Sequence, residues 1–380
     1  MIYLDNAATS SPKPQCVIDA VAYAMTKANA NPGRSGHSLS LEAGRTVLNC
    51  RENIARLINA DDPFSISMQF NCTDALNLAI KGCLRRGDHV ISTLMEHNSV
   101  LRVLMELQRR GDISVTLLRP QDDGMVDPEE IRRRIRPDTR LIICTHASNV
   151  TGAIQPVAAI GALAQEHGIT YLLDGAQALG AMPVDIKKLS CDMYAFPGHK
   201  GLLGPQGTGG LYVRPGLVLQ PLRQGGTGSS SESMLQPEEL PERYESGTLG
   251  YHGIAGLNAG ALYISEHLHD IYMHERELTT ALYEDLASIP GVTVYSPAQE
   301  SARAGIVSFN AGDMSSSQVA DILDSKSIAV RGGLHCAPGA HSYLGTLRRG
   351  VVRASVGHAT TFEEIEQFIS VIREVCRLNA

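Results

Sequence analysis

The chain has 380 residues, a formal net charge of -7 and the composition of an ordinary globular protein. Its length allows a large core and two domains. The acidic balance argues against a nucleic-acid surface, which needs a basic stripe. No apolar run of about 18 residues could span a membrane, and no signal-peptide pattern is present. We therefore expect a cytoplasmic protein that binds neither nucleic acid nor membrane.

Short apolar runs alternate with helical patterns from about residue 50 to 215. The predicted strands are Ser65–Phe70, His89–Thr93, Ser114–Leu118, Leu141–Thr145, Thr170–Leu173, Met193–Phe196 and Gly210–Val213. This alternation is typical of an α/β fold with a mostly parallel sheet. Ligands of such sheets bind beyond the carboxyl ends of the strands. The residues that directly follow each strand are therefore the candidates for a site.

The pattern changes after about Gly250. A long helix is predicted from about Ile254 to Ile289, and a last helix follows a capping box of Thr361 and Glu364. Between them, strands of a second sheet are predicted at Val292–Tyr295, Ile306–Phe309, Ile328–Arg331 and Val351–Ser355. We interpret the chain as a large domain over 15–255 and a smaller α+β C-terminal domain over 256–380, which residues 1–14 could join.

Lys200 follows the apolar run Met193–Phe196 and the turn Pro197-Gly198, and it opens a glycine-rich stretch. One interpretation is a solvated loop lysine. A nucleotide P-loop is excluded, because residues 204–210 lack the terminal Gly-Lys-Ser/Thr. The remaining interpretation is an amine that holds a carbonyl cofactor covalently.

Polar residues also follow the other predicted strands. These are Cys72, Thr73, His97, Asn149, Asp174 and Gln177. Cys72 and Thr73 begin a helix whose free amides make either an anion site or an ordinary N-cap. Asp174 after an apolar strand needs a partner, and a pyridinium N–H would be one. With Lys200, this set suits pyridoxal 5′-phosphate (PLP), which needs a lysine, an acid near its ring nitrogen and a phosphate site.

Four segments together resemble the class-V aminotransferase-fold PLP enzymes. They are Leu4–Thr9, Asn149–Gly152, Asp174–Gln177 and Gly198–Lys200. The resemblance implies the PLP-dependent transferase fold of type I. It implies that Lys200 carries PLP, that Asp174 pairs with the ring nitrogen and that Gln177 contacts the ring hydroxyl. It also implies that His97 stacks on the ring and that Asn149 contacts the cofactor.

The resemblance further implies that Cys72, Thr73 and His199 serve the phosphate. Similar enzymes take another phosphate contact from a threonine of the partner subunit, and Thr248 matches it, which implies a homodimer. Pro197 departs from the family, because a serine contact to the phosphate is lost there.

Cys336 differs from the other seven cysteines, because it lies on a loop beside His335 rather than in an apolar pattern. It is either a nucleophile with an increased thiolate fraction or an incidental loop thiol. Flanking glycines and Pro338 indicate a loop that can move. No Cys-x-x-Cys pair is present, so no metal site is predicted.

The segment Gly333–Ala337 resembles the active-site loop of the SufS-like cysteine desulfurases, a group that includes the selenocysteine lyases; Leu334 replaces a histidine common there. The resemblance implies that Cys336 takes sulfur from L-cysteine as a persulfide and that L-alanine leaves. It implies that Arg353, Asn149 and Ala7 bind the substrate, that Lys200 moves protons at the α-carbon, and that His97 takes part in proton transfer.

Three alternatives remain open at the level of sequence. The enzyme could be a selenocysteine lyase acting on L-selenocysteine, or another class-V aminotransferase or lyase that does not need Cys336. A non-catalytic PLP-fold protein or nucleotide-binding module is disfavoured by Lys200 and by the missing P-loop. The acceptor protein for sulfur or selenium is not identified by the sequence. His335, the cofactor and the substrate are all possible activators of Cys336. Arg331 is expected to have a structural role or to lie at the rim of the site.

Overall fold

The structure is a computed structural model that describes residues 1–33 and 35–377. Its helices are α1 (Gln15–Thr26), α2 (Ser38–Ile58), α3 (Cys72–Cys83), α4 (Asn98–Arg109), α5 (Pro128–Arg134), α6 (Val157–Glu166), α7 (Tyr251–Ser288), α8 (Ser316–Ser325), α9 (Pro338–Leu344) and α10 (Phe362–Arg377). Its strands are β1 (Ile2–Tyr3), β2 (Ile66–Gln69), β3 (His89–Thr93), β4 (Ser114–Leu118), β5 (Thr139–Thr145), β6 (Thr170–Asp174), β7 (Met193–Pro197), β8 (Gly209–Val213), β9 (Val292–Val294), β10 (Ile306–Ala311), β11 (Ile328–Ala329), β12 (Arg331–Gly333) and β13 (Val351–Ser355).

Seven strands form the central sheet, in the order β2-β8-β7-β6-β5-β3-β4. The β6–β7, β5–β6, β3–β5 and β3–β4 pairs are parallel, and β8 runs antiparallel to both β2 and β7. This arrangement confirms the predicted α/β class with a mostly parallel sheet. The strand β5 begins at Thr139, earlier than predicted, because its first two residues are polar and incompletely buried although Thr139 already pairs with His89 of β3.

Hydrophobic cores cover both faces of this sheet. Ile91 and Leu173 belong to one core, which includes residues of α2, α6 and α7, whereas their neighbours Val90 and Leu172 belong to another, which includes residues of α3 and α4. Successive side chains of a strand point to opposite faces, so this alternation is expected for a sheet between two helical layers. The layers leave only the strand ends open to a ligand.

The second sheet is antiparallel, with the order β12-β13-β10-β9. The prediction of one strand over Ile328–Arg331 was wrong. The chain breaks at Val330, so β11 pairs with β1 while β12 pairs with β13. The predicted capping box is confirmed: the Thr361 N–H donates to Glu364 Oε2 at 3.0 Å, and the Glu364 N–H donates to Thr361 Oγ1 at 3.3 Å.

In the described ranges, none of the helices combines the length and apolar character needed to cross a membrane. The longest, α7, packs against α1 and α2 and also contacts β9, β10 and α10. It therefore links the two sheets that form the walls of the site.

Candidate active site

A cleft of about 230 Å³ lies at the carboxyl ends of the parallel strands and is closed by residues of β12 and β13. Parallel strands end at one edge of a sheet, which explains why residues distant in sequence meet here. The predicted site residues that line the cleft are Ala7, Cys72, Thr73, His97, Asn149, Asp174, Gln177, His199, Lys200 and Arg353. Cys336 and Thr248 do not line it. Among the described residues, no group of three or more His, Cys, Asp or Glu side chains could hold a metal ion.

Lys200 enters the cleft from the turn after β7. A Cβ atom at Gly198 would lie 2.1 Å from Thr208 Oγ1, so the turn accepts only glycine there. The Gly204 N–H donates to the Gly198 carbonyl at 2.8 Å and closes the turn. Burial lowers the pKa of Lys200, and the positive charge of Arg353 lowers it further. A desolvated amine of this kind is suited to attack a carbonyl group.

Asp174 is the last residue of β6 and is 2 % exposed. Its Oδ1 accepts the Ala176 N–H at 2.9 Å and the Cys72 S–H at 3.5 Å. Burial, followed by the charge of Asp174, raises the pKa of the Cys72 thiol. Cys72 is therefore a thiol donor to Asp174, and the side of Asp174 that faces the cleft can receive a cationic N–H.

The start of α3 opens onto the cleft. Asn71 caps this helix, since its Oδ1 accepts the Asp74 N–H at 2.9 Å. The amides of Cys72 and Thr73 precede it and have no intrahelical acceptor. His199 lines the same cleft, and its buried Nδ1 has no hydrogen-bond partner in the described part of the chain. Burial lowers the pKa of His199 to about 4, so its imidazole is neutral and can donate to a phosphate.

His97 is the N-cap of α4. Its Nδ1 accepts the Ser99 N–H at 3.0 Å and lies 2.8 Å from Ser99 Oγ. Burial lowers the pKa of His97. Because Nδ1 accepts a backbone hydrogen bond, the neutral ring carries its proton on Nε2. Ser99 thereby sets the tautomer that His97 presents.

Asn149 joins the two sheets across the cleft. The Asn149 side-chain Nδ2 donates to the His335 backbone carbonyl at 2.7 Å. The Asn149 backbone carbonyl accepts a hydrogen bond from Arg353 Nη1 at 3.0 Å. Gln177 Nε2 donates to the Ala7 carbonyl at 3.0 Å and holds the N-terminal segment against the cleft. These contacts fix the relative positions of five residues that are distant in the sequence.

Cys336 is exposed and lies in a short turn between β12 and α9. His335 and Cys336 have φ of 48° and 58°, a left-handed conformation that non-glycine residues seldom adopt. The Asn98 N–H, beside His97, donates to the Cys336 carbonyl at 2.7 Å, and the Ala337 N–H donates to the Leu334 carbonyl at 2.9 Å. The structure thus shows a hydrogen-bonded turn at Cys336, and the prediction that this loop can move stays a prediction.

His335 is buried, and its surroundings disfavour the cationic form that would activate Cys336. Its Nε2 donates to the Val351 carbonyl at 3.1 Å, and burial, followed by the charge of Arg353, lowers its pKa to about 3. The imidazole is therefore neutral at physiological pH. Of the three sources of Cys336 activation considered from the sequence, His335 is the one that this geometry disfavours.

Sequence reasoning missed two charged residues of the site. Arg331, expected at the rim or in a structural role, is half-buried, lines the cleft and stands opposite Arg353 in the β12–β13 pair. Asp5 forms an ion pair with Arg353 at 2.8 Å. Arg331 could have been found from its place in a strand that pairs with β13, next to Arg353. The sequence did not predict the break at Val330 that creates this strand.

The Aminotransferase class-V family profile matches residues 2–368. The chain belongs to this family. It is 37% identical to a probable cysteine desulfurase of Methanothermobacter thermautotrophicus, over 100% of this chain and 95% of that protein. It is 35% identical to a cysteine desulfurase of Salmonella agona, over 100% of this chain and 94% of that protein. These similarities confirm the resemblance to the cysteine desulfurases.

Solved structures agree with this membership. The apo structure of a cysteine desulfurase from Thermococcus onnurineus superposes with a TM-score of 0.93 at 34% identity, covering 99% of this chain and 94% of that one. A cysteine desulfurase from Escherichia coli, in an S-sulfonic acid form, has a TM-score of 0.88 at 26% identity, covering 99% and 94% of the two chains. The type I fold of the PLP-dependent transferases is thus confirmed.

Proposed function

We propose that this protein is a PLP-dependent cysteine desulfurase. L-Cysteine and the Cys336 thiol would react to give L-alanine and a persulfide on Cys336, from which an acceptor protein takes the sulfur. The observation that carries the proposal is a cleft that both Lys200 and Arg353 line. The turn that contains Cys336 is hydrogen bonded to Asn98, the neighbour of the cleft residue His97. We further propose a cytoplasmic location, since all eight cysteines are unpaired.

The residues of the cleft fit PLP. The amides of Cys72 and Thr73 at the start of α3, with the neutral His199, offer donors to a phosphate. Asp174 offers a carboxylate to the ring nitrogen, and Pro197 lines the cleft without an N–H to donate. When bound, PLP supplies an electron sink for the α-carbon of an amino acid.

The chain's own residues then have separable tasks. Arg353, Asn149 and Ala7 would bind the substrate, with the guanidinium on its carboxylate. Lys200 Nζ would move the proton at the α-carbon, because burial lowers its pKa and so favours the neutral amine that accepts a proton. His97 would stack on the ring and hold a proton on Nε2, while Gln177 would contact the ring hydroxyl.

Supplying each amino acid to the purified holoenzyme tests the reaction. L-Cysteine should give alanine and, with a thiol reductant, sulfide in equal amounts. L-Selenocysteine should be offered in parallel, with selenide measured, because a selenocysteine lyase would use the same cleft and prefer that substrate. Transamination products without sulfide would instead identify another class-V aminotransferase.

Removing the guanidinium of Arg353 should weaken the use of cysteine. Loss of a buried ionic partner costs about 2–5 kcal/mol, so Arg353→Ala should lower kcat/KM for L-cysteine by roughly 30-fold or more. The visible spectrum of the bound cofactor should stay as in the wild type, since Asp174 and Lys200 are unchanged. Unaltered kinetics for L-cysteine would contradict the carboxylate-binding role.

Thr248 leads to a prediction about assembly. It is exposed and lies outside the cleft of its own chain, next to Gly247. Helix α1 exposes Ile18, Tyr23 and Met25 by 50%, 52% and 55%, which suits a protein interface. We expect a homodimer in which Thr248 reaches the phosphate of the partner subunit. Sedimentation should show a dimer, and Thr248→Ala should retain PLP less well. A fully active monomer would contradict this assembly.

A further inference from the structure

Asp5 makes direct contact with Arg353. The Arg353 side chain is 1 % exposed, and its Nη2 donates to Asp5 Oδ1 at 2.8 Å. Its Nη1 donates to the Asn149 carbonyl at 3.0 Å, and its buried Nε has no partner among residues 1–33 and 35–377. A guanidinium has five N–H donors. Donors remain, therefore, after both of these partners are satisfied.

The backbone around Asp5 is fixed against the strand that carries Arg353. The Ser355 N–H donates to the Leu4 carbonyl at 2.8 Å, and Asp5 and Ser355 form a parallel bridge. The Ala8 N–H donates to the Asp5 carbonyl at 3.0 Å. The Asp5 carboxylate thus has a set position relative to a side chain two residues before Ser355 on β13.

Basic side chains surround Arg353, and Asp5 offsets their effect on its charge. Arg331 stands opposite Arg353 in register, and Lys200 lines the same cleft. Burial lowers the pKa of Arg353, and the neighbouring Asp5 opposes this effect. Asp5 itself does not line the cleft, so any influence that it has on a ligand must pass through the guanidinium.

We propose that Asp5 is a positioning residue for substrate recognition: it fixes the Arg353 guanidinium so that its remaining N–H groups receive the α-carboxylate of the amino acid. This inference rests on the proposed function, because it assumes that Arg353 binds the substrate carboxylate. It adds Asp5 to the residues that determine specificity for α-amino acids, as one that acts through Arg353 rather than on the substrate.

The test compares ligands with and without a carboxylate. Holoenzyme variants Asp5→Ala and Asp5→Asn are titrated with L-alanine and with cysteamine, following the cofactor absorbance, and KM and kcat are measured for L-cysteine. In Asp5→Ala, KM for L-cysteine and Kd for L-alanine should rise roughly 10- to 100-fold, as for other coupled ionic pairs. The change in kcat should be smaller, and Asp5→Asn should recover part of the affinity, because an amide oxygen can still accept the hydrogen bond.

Cysteamine and Tyr3→Phe serve as controls. Cysteamine has no carboxylate, so its Kd should be the same in the wild type and in Asp5→Ala. Tyr3 donates its hydroxyl to the backbone carbonyls of Thr9 at 2.9 Å and Asp5 at 3.3 Å, so Tyr3→Phe removes contacts of the same segment but leaves the Asp5 carboxylate on Arg353. Tyr3→Phe should lower Tm without changing Kd for L-alanine.

Two outcomes would overturn the positioning role. One is an equal loss of affinity for L-alanine and cysteamine, and the other is unchanged affinity for both in Asp5→Ala and Asp5→Asn. A wild-type enzyme that makes no alanine from cysteine would contradict the desulfurase proposal instead. The comparison of the two ligands would still test Asp5 in that case, because it requires only binding.

Discussion

Replacing Cys336 with alanine is expected to abolish persulfide formation and to remove nearly all alanine production from L-cysteine. Cofactor and substrate should still bind, because Lys200, Asp174 and Arg353 remain in the cleft. Removal of a nucleophile costs several orders of magnitude in rate. After one turnover by the wild type, mass spectrometry should locate one extra sulfur atom on the peptide that contains Cys336.

Cys16 provides a matched control, because it is also an exposed, unpaired cysteine. Cys16→Ala should keep wild-type alanine production. The extra sulfur should not appear on Cys72 or Cys191, whose burial raises the pKa of both thiols and disfavours the thiolate. Sulfur on either of these residues, or normal desulfuration by Cys336→Ala, would contradict the mechanism. Turnover of L-selenocysteine should fall less in this variant, as the family resemblance implies.

The turn that holds Cys336 limits how its thiol is activated. An unperturbed thiol is only a few per cent ionised at neutral pH. His335 donates its Nε2 proton to the Val351 carbonyl, and its pKa of about 3 keeps it neutral. The geometry thus disfavours His335 as an activating cation and favours the other two sources considered from the sequence, the bound cofactor and the substrate.

Strand ends were the predictable part of the site. Local apolar runs marked β3, β6 and β7, and the residues after them meet because parallel strands share an edge. The sequence alone thus predicts that Asp174 and Lys200 line one cleft. Fold class followed from the same alternation, because a helix must cover each face of a buried parallel sheet.

Contacts between distant segments were not predictable from local patterns. Asp5 and Arg353 are 348 residues apart, and no periodicity or spacing encodes their ion pair. The position of Arg331 depends on the break at Val330. Residues before the break pair with β1, and residues after it pair with β13. The hydrogen bond from the Asn98 N–H to the Cys336 carbonyl likewise arises only from tertiary packing, so the glycines near Cys336 could not predict it.

Replacing Lys200 with alanine is expected to remove the covalent attachment of PLP and to lower cysteine desulfuration by several orders of magnitude. In the proposed mechanism Lys200 has two tasks: it would attach the cofactor, and its Nζ would carry the α-proton. Purified wild type should be yellow, and borohydride should fix the cofactor to the peptide that contains Lys200. In Lys200→Ala, borohydride should fix none, although some PLP should remain bound through Asp174 and the amides of α3.

Lys13 is the control for this experiment, because it is the neighbouring lysine with a perturbed amine. Its Nζ donates to Ser10 Oγ at 2.7 Å and to the His199 carbonyl at 2.8 Å, and burial lowers its pKa to about 8. Both acceptors hold the amine behind the turn that carries Lys200, so Lys13→Ala should keep the borohydride adduct. An adduct that persists in Lys200→Ala, or one that maps to Lys13, would show that another lysine attaches the cofactor.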